Sequence, residues 1–368
     1  MENMITNMLE CNGIGFDWPR YEQEILQEKL RIKEQLCSEL CNHLKCQTED
    51  ITESKKLVWK LYKNNLYPES MSFDYLKEHR NEHAVYGLLY RYKRIQQFIN
   101  QYGDKLHSQI QPDHRIHASW SLDGSKTGRM SCKEPNLQAF PSELKPYFRP
   151  QNGYCFVSGD YSQIELRILA ELAQDANMIQ SFCSGADIHA KTASVIFQKP
   201  LEQVSEQERS IGKRVNFGVC YGISANGLCE AVNQKSDANL TVQQADQIKI
   251  NFYKAYSKIR AYHNHLLTTD KIVSLGGRQW TDYPKGIARV NLPVQASAAE
   301  GLKIALTALL KHLPDDCMLV NVIHDEIVLE TPISKTTQIQ PILQHFMIDG
   351  MSELVKSVPI IVDTMITL

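Results

Sequence analysis

An α+β fold is predicted by the order in which the sequence patterns change. Apolar residues at helical spacing dominate the first third of the chain. A loop rich in Gly, Ser and Pro runs from Ser119 to Pro150, and beyond it short apolar runs suited to buried strands alternate with helices. In the first part, Tyr21, Ile25, Leu30, Leu36, Leu40 and Leu44 predict a helix over 21–44 with one buried stripe. Leu88, Tyr92, Ile95, Ile99, Tyr102 and Leu106 step by three or four and predict a second helix over 88–106, packed along a seam, with Arg91, Lys93 and Arg94 on solvated faces. After the loop, Tyr154–Ser158 reads as a buried strand and 163–173 as the helix leaving it. Ser205 and Glu208 form a capping box, so a helix begins near Glu206 and runs to the Tyr221-Gly222 stop. Two strands, 318–323 and 327–331, flank His324-Asp325-Glu326 as a hairpin with an acidic tip, and a last strand is expected over 360–363.

The chain has 368 residues, 43% hydrophobic and 22% charged, which allows two or three domains' worth of core and excludes a peptide hormone, a small binding module or a disordered tail. Its 40 Lys+Arg against 42 Asp+Glu give a net charge of −2, which excludes coating of nucleic acid by bulk charge but leaves room for a local basic groove. From Asn251 to Lys303 there are eight Lys/Arg (254, 258, 260, 271, 278, 285, 289, 303) against three acids (270, 282, 300). The 10 cysteines are scattered, a reduced-compartment pattern. Cys37, Cys41, His43 and Cys46 cluster without the paired spacing that structural zinc sites favour. No signal-peptide pattern or bilayer-length apolar run is present, so the expected setting is cytoplasmic, nucleoid-associated or in a host's cytoplasm, with no membrane partner.

Asp160 and Asp325 both fall at expected strand ends, where side chains can converge. Magnesium prefers one or two carboxylates together with phosphate oxygens, and a pair of such ions about 3.5–4 Å apart stabilises a phosphoryl displacement. Taken singly, Asp160 has the plainer role of capping the next helix and Asp325 that of making a turn. The helix from Glu206 is more telling. Arg209, Lys213, Phe217 and Tyr221 are four apart, so the row drifts only about 40° per step and stays on one face. Cations beside aromatics suit a nucleoside triphosphate lying along the helix, although the same face could be a core edge with snorkelling ends.

Three ordered segments resemble the family A DNA polymerases, the class of bacterial DNA polymerase I: Asp160-Tyr-Ser-Gln-Ile-Glu-Leu-Arg167, Arg209-x3-Lys213-x3-Phe217-Gly-x2-Tyr221-Gly222 and His324-Asp325-Glu326. Thr127–Ser131 with Pro135–Gln138, and Asn291–Gln295, resemble two further segments of that family, and the likeness runs from about Gly13 to the C-terminus. The resemblance implies a right-hand fold with an antiparallel palm sheet, a helical thumb and helical fingers. The palm would begin at 1–18 and resume at 119–186 and 287–368, with a thumb over 19–118 and fingers over 187–286.

It also implies roles. Asp160 and Asp325 would bind two Mg2+ ions, for which Mn2+ may substitute, with the backbone of Tyr161 completing the shell and Glu326 in a lesser catalytic role. Lys213 would protonate the leaving pyrophosphate, and His189, Arg209 and Lys213 would hold the triphosphate. Phe217 would stack on the nucleotide, and its missing hydroxyl implies discrimination against dideoxynucleotides. Tyr221 would guard the template site, and Glu165 would exclude a ribose 2′-hydroxyl. Arg129, Gln138, Asn291, Gln295 and His324 would contact primer-template DNA through acceptors common to every base pair. The expected activity is template-directed DNA synthesis on primer-template DNA from deoxynucleoside triphosphates by a monomer, with no proofreading or 5′ nuclease domain in these residues. A single-subunit RNA polymerase, against which Glu165 argues, and a non-catalytic primer-template binding protein, against which the intact Asp160, Asp325, Arg209 and Lys213 argue, are the alternatives. One departure is Ile287, where relatives often carry Arg; Arg289 stands two residues later.

Overall fold

The computed structural model describes residues 2–234, 239–280 and 286–368. Asp282 and Lys285, two of the charges counted above, lie outside the described residues. The chain divides into two compact units, one of 13–117 with 140–149, the other of 2–12, 118–139 and 150–368.

In the smaller unit a short helix, Trp18–Tyr21, opens with Pro19 in its first turn and Asp17 capping the Arg20 N–H. A π-helical stretch, Glu22–Leu26, leads into α1, Gln27–Leu44, so the helix expected over 21–44 is present but starts with a π turn. Next come α2 (Ser54–Lys63), α3 (Phe73–His79) and α4 (Ala84–Tyr102). Leu36, Leu40 and Leu44 of α1 share one apolar core with Leu57 and Leu61 of α2 and Leu88, Leu89 and Tyr92 of α4. The expected helix over 88–106 stops at Tyr102, because Gly103 leaves helical geometry (φ −91°, ψ −130°), and a separate turn, Asp104–His107, follows. Lys93 is not solvated as expected: its ammonium donates to the Met71 carbonyl. Segment 140–149 joins this unit through its rings, with Phe140, Tyr147 and Phe148 all within 5.4–6.5 Å of Phe16 between centroids.

The larger unit is built on a four-stranded antiparallel sheet. Its strands are β1 (Tyr154–Tyr161), β2 (Met318–Ile323), β3 (Glu326–Pro332) and β4 (Val362–Thr367), in the order β2-β3-β1-β4. The hairpin of β2 and β3 is where the sequence puts it, with His324 at φ +55° in the turn. Two expectations are corrected. β1 does not end at Ser158; it continues through Asp160 and Tyr161 because both neighbours supply ladder partners, Asp160 facing Glu326 on β3 and Asp363 on β4. The last strand runs over Val362–Thr367 rather than 360–363, paired along its length with β1.

The helices of this unit include α5 (Ile164–Ala173), α6 (Ile188–Phe197), α7 (Glu206–Cys220), α8 (Val242–Ala255), α9 (Ser257–Thr268), α10 (Ala288–Leu309) and α11 (Thr336–Ser352). α11 covers one face of the sheet so closely that a Cβ on Gly159 would stand 2.6 Å from the Met347 sulfur. Successive strand residues alternate faces, so Asp160 is turned to the face opposite α11. α7 starts at the Ser205–Glu208 capping box and buries Ile211, Val215 and Val219. α6 and α7 touch through backbone: a Cβ on Gly212 would lie 2.3 Å from the His189 carbonyl oxygen. Gly212→Ala is therefore expected to force the two helices apart and cost about 1–3 kcal/mol, read as a lower midpoint in thermal denaturation. Among the described residues no helix is long and apolar enough to cross a membrane.

Candidate active site

The late hairpin brings its acidic tip to the end of β1. Ile323 pairs with Glu326, Glu326 pairs with Asp160, and the Tyr161 N–H lies 3.4 Å from the Asp325 carbonyl. The two aspartates thus meet although 165 positions separate them in the sequence. Burial, and next the negative charge of Asp160, push the Asp325 carboxyl up to about 6; Glu165 adds to the shift and Arg129 opposes it. Tyr161 turns its ring into the core and donates its hydroxyl to the Met347 carbonyl at 2.6 Å, so only its backbone is available at this edge.

Glu165, on the first turn of α5, is the hub of the neighbouring polar cluster. It is buried, accepts from the Arg129 guanidinium at 2.6 Å on one oxygen and from the Tyr221 hydroxyl on the other. The Tyr221 phenol is driven far up by burial and then by this bond, so it stays a donor. Burial, followed by the positive charge of Arg129, lowers the pKa of His324. Gln138 donates to the Val322 carbonyl at 2.9 Å, which fixes its segment to the hairpin strand. Asn291 and Gln295 stand one turn apart on α10, both half-exposed, and the buried Oδ1 of Asn291 has no hydrogen-bond partner among the described residues.

A second cluster forms at the other end of α7, about 18 Å along the helix from Tyr221. Lys213 is exposed and Arg209, Phe217 and Tyr221 are half-exposed, while Ile211, Val215 and Val219 face inward, as the spacing of four predicts. Arg209 pairs with Asp187 at 2.5 Å. The Asp187 carboxylate also caps α6, accepting from the His189 and Ala190 N–H groups. The His189 and Phe217 rings lie 5.9 Å apart. Burial above all, with the charges of Lys213 and Arg209, pulls the His189 imidazole down to about 4, against the influence of Asp187, so it is neutral near pH 7. Asn216 decides which nitrogen carries its proton. Thr192 donates to Asn216 Oδ1 at 2.8 Å, and the Asn216 amide donates to His189 Nδ1 at 2.9 Å, leaving the proton on Nε2.

Asn216, Asp187 and Asp363 were not singled out by the sequence. For Asn216 the signal was available: an amide on the apolar face of a helix, between Val215 and Val219, requires partners. Asp363 carried no such signal, because its pairing opposite Asp160 depends on sheet order. Part of the basic excess between Asn251 and Lys303 is spent internally. Arg278 meets Asp123 at 2.9 Å, and Lys303 lies 3.9 Å from the same carboxylate.

Two neighbouring carboxylates, Asp325 with its proton affinity raised by burial and by Asp160, and an adjoining backbone edge suit a magnesium ion that takes its remaining ligands from phosphate and water. Among the described residues no group of three or more His, Cys, Asp and Glu is arranged to hold an ion, and the Cys37, Cys41, His43 and Cys46 cluster is included in that statement.

The unit thus combines an antiparallel sheet that brings Asp160 and Asp325 together with a helix that presents cations and aromatics along one face, an α+β arrangement. The sequence profile of DNA polymerase family A matches residues 21–275 and 278–367, and the chain belongs to that family. DNA polymerase I of Aquifex aeolicus is 34% identical over 261 residues, 68% of this chain and 45% of that protein. The thermostable DNA polymerase I of Thermus aquaticus is 30% identical over 302 residues, 76% of this chain and 36% of that protein. The chain thus spans less than half the length of these relatives. In three dimensions it is similar to the POL domain of Pol1 from M. smegmatis, solved in complex with DNA primer-template and dNTP. The TM-score is 0.83 at 22% identity, covering 100% of this chain and 69% of that one.

Proposed function

We propose that the chain is a DNA-directed DNA polymerase that extends a primer 3′-hydroxyl with deoxynucleotides chosen by a template. The observation that carries this reading is the convergence of Asp160 with Asp325 in the same unit as the Arg209–Tyr221 face of α7. In this reading 19–118 is the thumb, 187–286 the fingers, and 1–18, 119–186 and 287–368 the palm. Primer-template DNA and deoxynucleoside triphosphates are the partners, and the chain acts as a monomer in a cytoplasmic setting.

Asp160 and Asp325, with the Tyr161 backbone, would hold two magnesium ions, and Mn2+ can replace them. When bound, these ions supply charge neutralisation at the α-phosphate and lower the pKa of the attacking hydroxyl. Arg209 and Lys213 bind the phosphates, the neutral His189 donates its Nε2–H to a phosphate oxygen, and Lys213 delivers a proton to pyrophosphate as it leaves. Phe217 stacks on the incoming base. Glu165, clamped by Arg129 and Tyr221, occupies the space a 2′-hydroxyl needs. Arg129, Gln138, Asn291, Gln295 and His324 are assigned to primer-template DNA, and Glu326 supports the metal carboxylates.

The direct test is primer extension by the purified chain with magnesium. Deoxynucleotides are expected to give long products and ribonucleotides very little. Efficient ribonucleotide use would favour an RNA polymerase, and duplex binding without extension would favour a binding protein. These residues are also expected to leave a mismatched 3′ end untrimmed, and 3′ trimming by the pure chain would refute that part of the reading. Phe217→Tyr supplies a hydroxyl where a dideoxynucleotide lacks one. One hydrogen bond of about 1–3 kcal/mol should therefore reduce discrimination against dideoxynucleotides roughly 10- to 100-fold in competition assays.

A further inference from the structure

The smaller compact unit carries a surface that the proposed reaction does not use. α2 buries Leu57 and Leu61, which leaves Lys55, Trp59, Tyr62 and Lys63 on the outward side at spacings of three and four. The chain then turns back on itself: Asn65 takes φ +57° and the Leu66 N–H bonds to the Leu61 carbonyl at 3.0 Å. That turn lays Tyr67 beside Tyr62, with ring centroids 5.4 Å apart and an interplanar angle of 32°. Trp59 is 50% exposed, Tyr62 47% and Tyr67 65%.

Two cations lie against one of these rings, Trp59. The Lys63 ammonium lies 3.7 Å from the Trp59 centroid and that of Lys60 5.4 Å. Lys60 is paired with Asp50 and Lys56 with Glu53, whereas neither Lys55 nor Lys63 has an acidic partner among the described residues. Trp59 and Tyr62 stand three apart on the exposed side of α2 and Tyr67 lies against Tyr62, so three solvent-facing rings share one face with lysines, unlike the singly scattered apolar residues of an ordinary surface.

We propose that this face of α2, with Tyr67, is a binding platform for single-stranded nucleic acid, built from residues to which the proposed reaction gives no role. The lysines attract the phosphate backbone and the rings offer flat faces on which unpaired bases stack. A duplex hides its base faces between neighbouring pairs, so the platform selects unpaired strand. An acidic peptide would satisfy the lysines but would leave the rings unused. Stacking of a base on the indole outweighs the exposed cation–π contact of Lys63 that it displaces. The proposal does not depend on the chain being a polymerase.

Trp18, Trp120 and Trp280 are buried, so the solvent-sensitive tryptophan emission comes from Trp59. The test titrates the whole chain with oligo-deoxythymidylate at low salt, in the presence of excess blunt hairpin duplex to fill any duplex-binding cleft. Quenching of the exposed emission by the oligonucleotide and not by the hairpin is expected. A Trp59→Ala/Tyr62→Ala/Tyr67→Ala variant should bind labelled oligonucleotide at least about tenfold more weakly. Lys55→Gln/Lys63→Gln, which leaves the rings in place, should flatten the salt dependence. The proposal is overturned if the oligonucleotide does not quench, if the hairpin alone quenches equally, or if the ring variant, folded by circular dichroism, binds as tightly as the wild type.

Discussion

Asp325→Asn is expected to lower primer extension by at least about 10³-fold, since a carboxylate that holds a catalytic cation supports several kcal/mol of transition-state stabilisation and each 1.36 kcal/mol is a factor of ten. Asn has the same shape, so the turn between β2 and β3 is kept. The stability expectation has the opposite sign. Burial, and next the negative charge of Asp160, raise the proton affinity of Asp325. Removing one of the two like charges without metal should leave the melting temperature unchanged or raise it. Asp160→Asn should behave in the same way. A side chain retained for structure would show the reverse, a lower melting temperature with activity preserved, so extension rates and melting curves on the same two variants separate the explanations.

Glu165→Ala is expected to improve ribonucleotide use relative to deoxynucleotide use by about 10²-fold or more, measured as the ratio of kcat/KM values. The carboxylate is buried and fixed by Arg129 on one side and Tyr221 on the other, which makes it a rigid wall rather than a mobile side chain. In the proposed role its loss would open the space beside the nucleotide sugar, and it also strands two donors. An unpaired buried donor costs about 1–3 kcal/mol, so the variant should melt earlier than the wild type. Glu165→Gln keeps the size and an acceptor for Tyr221, and should retain most of the sugar discrimination. Equal ribonucleotide exclusion by Glu165→Ala would remove Glu165 from this role.

The parts of the structure that were legible in the sequence are those set by local chemistry. Ser205 and Glu208 announce the start of α7, and the spacing of Arg209, Lys213, Phe217 and Tyr221 sets them on one face. The turn at His324-Asp325 is flanked by two apolar runs that pair with each other as a hairpin. The rest depends on partners distant in the chain. β1 continues through Asp160 because β3 and β4, more than 160 positions away, pair with it there. Phe140, Tyr147 and Phe148 leave the loop region to pack on Phe16, a choice made by aromatic contacts and not by spacing. The ion pair of Arg209 with Asp187, and the chain from Thr192 through Asn216 to His189, arise where α6 crosses α7. A single sequence shows the donors and acceptors but not the crossing.

The most direct measurement is single-nucleotide insertion by the purified chain. A primer-template carrying each of the four bases at the first unpaired template position would be offered one deoxynucleoside triphosphate at a time, with magnesium. The account predicts that each template base admits its complement, with Asp160→Asn and Asp325→Asn inactive on all four. Insertion that ignores the template base, or no insertion by wild-type chain that binds the primer-template, would contradict it.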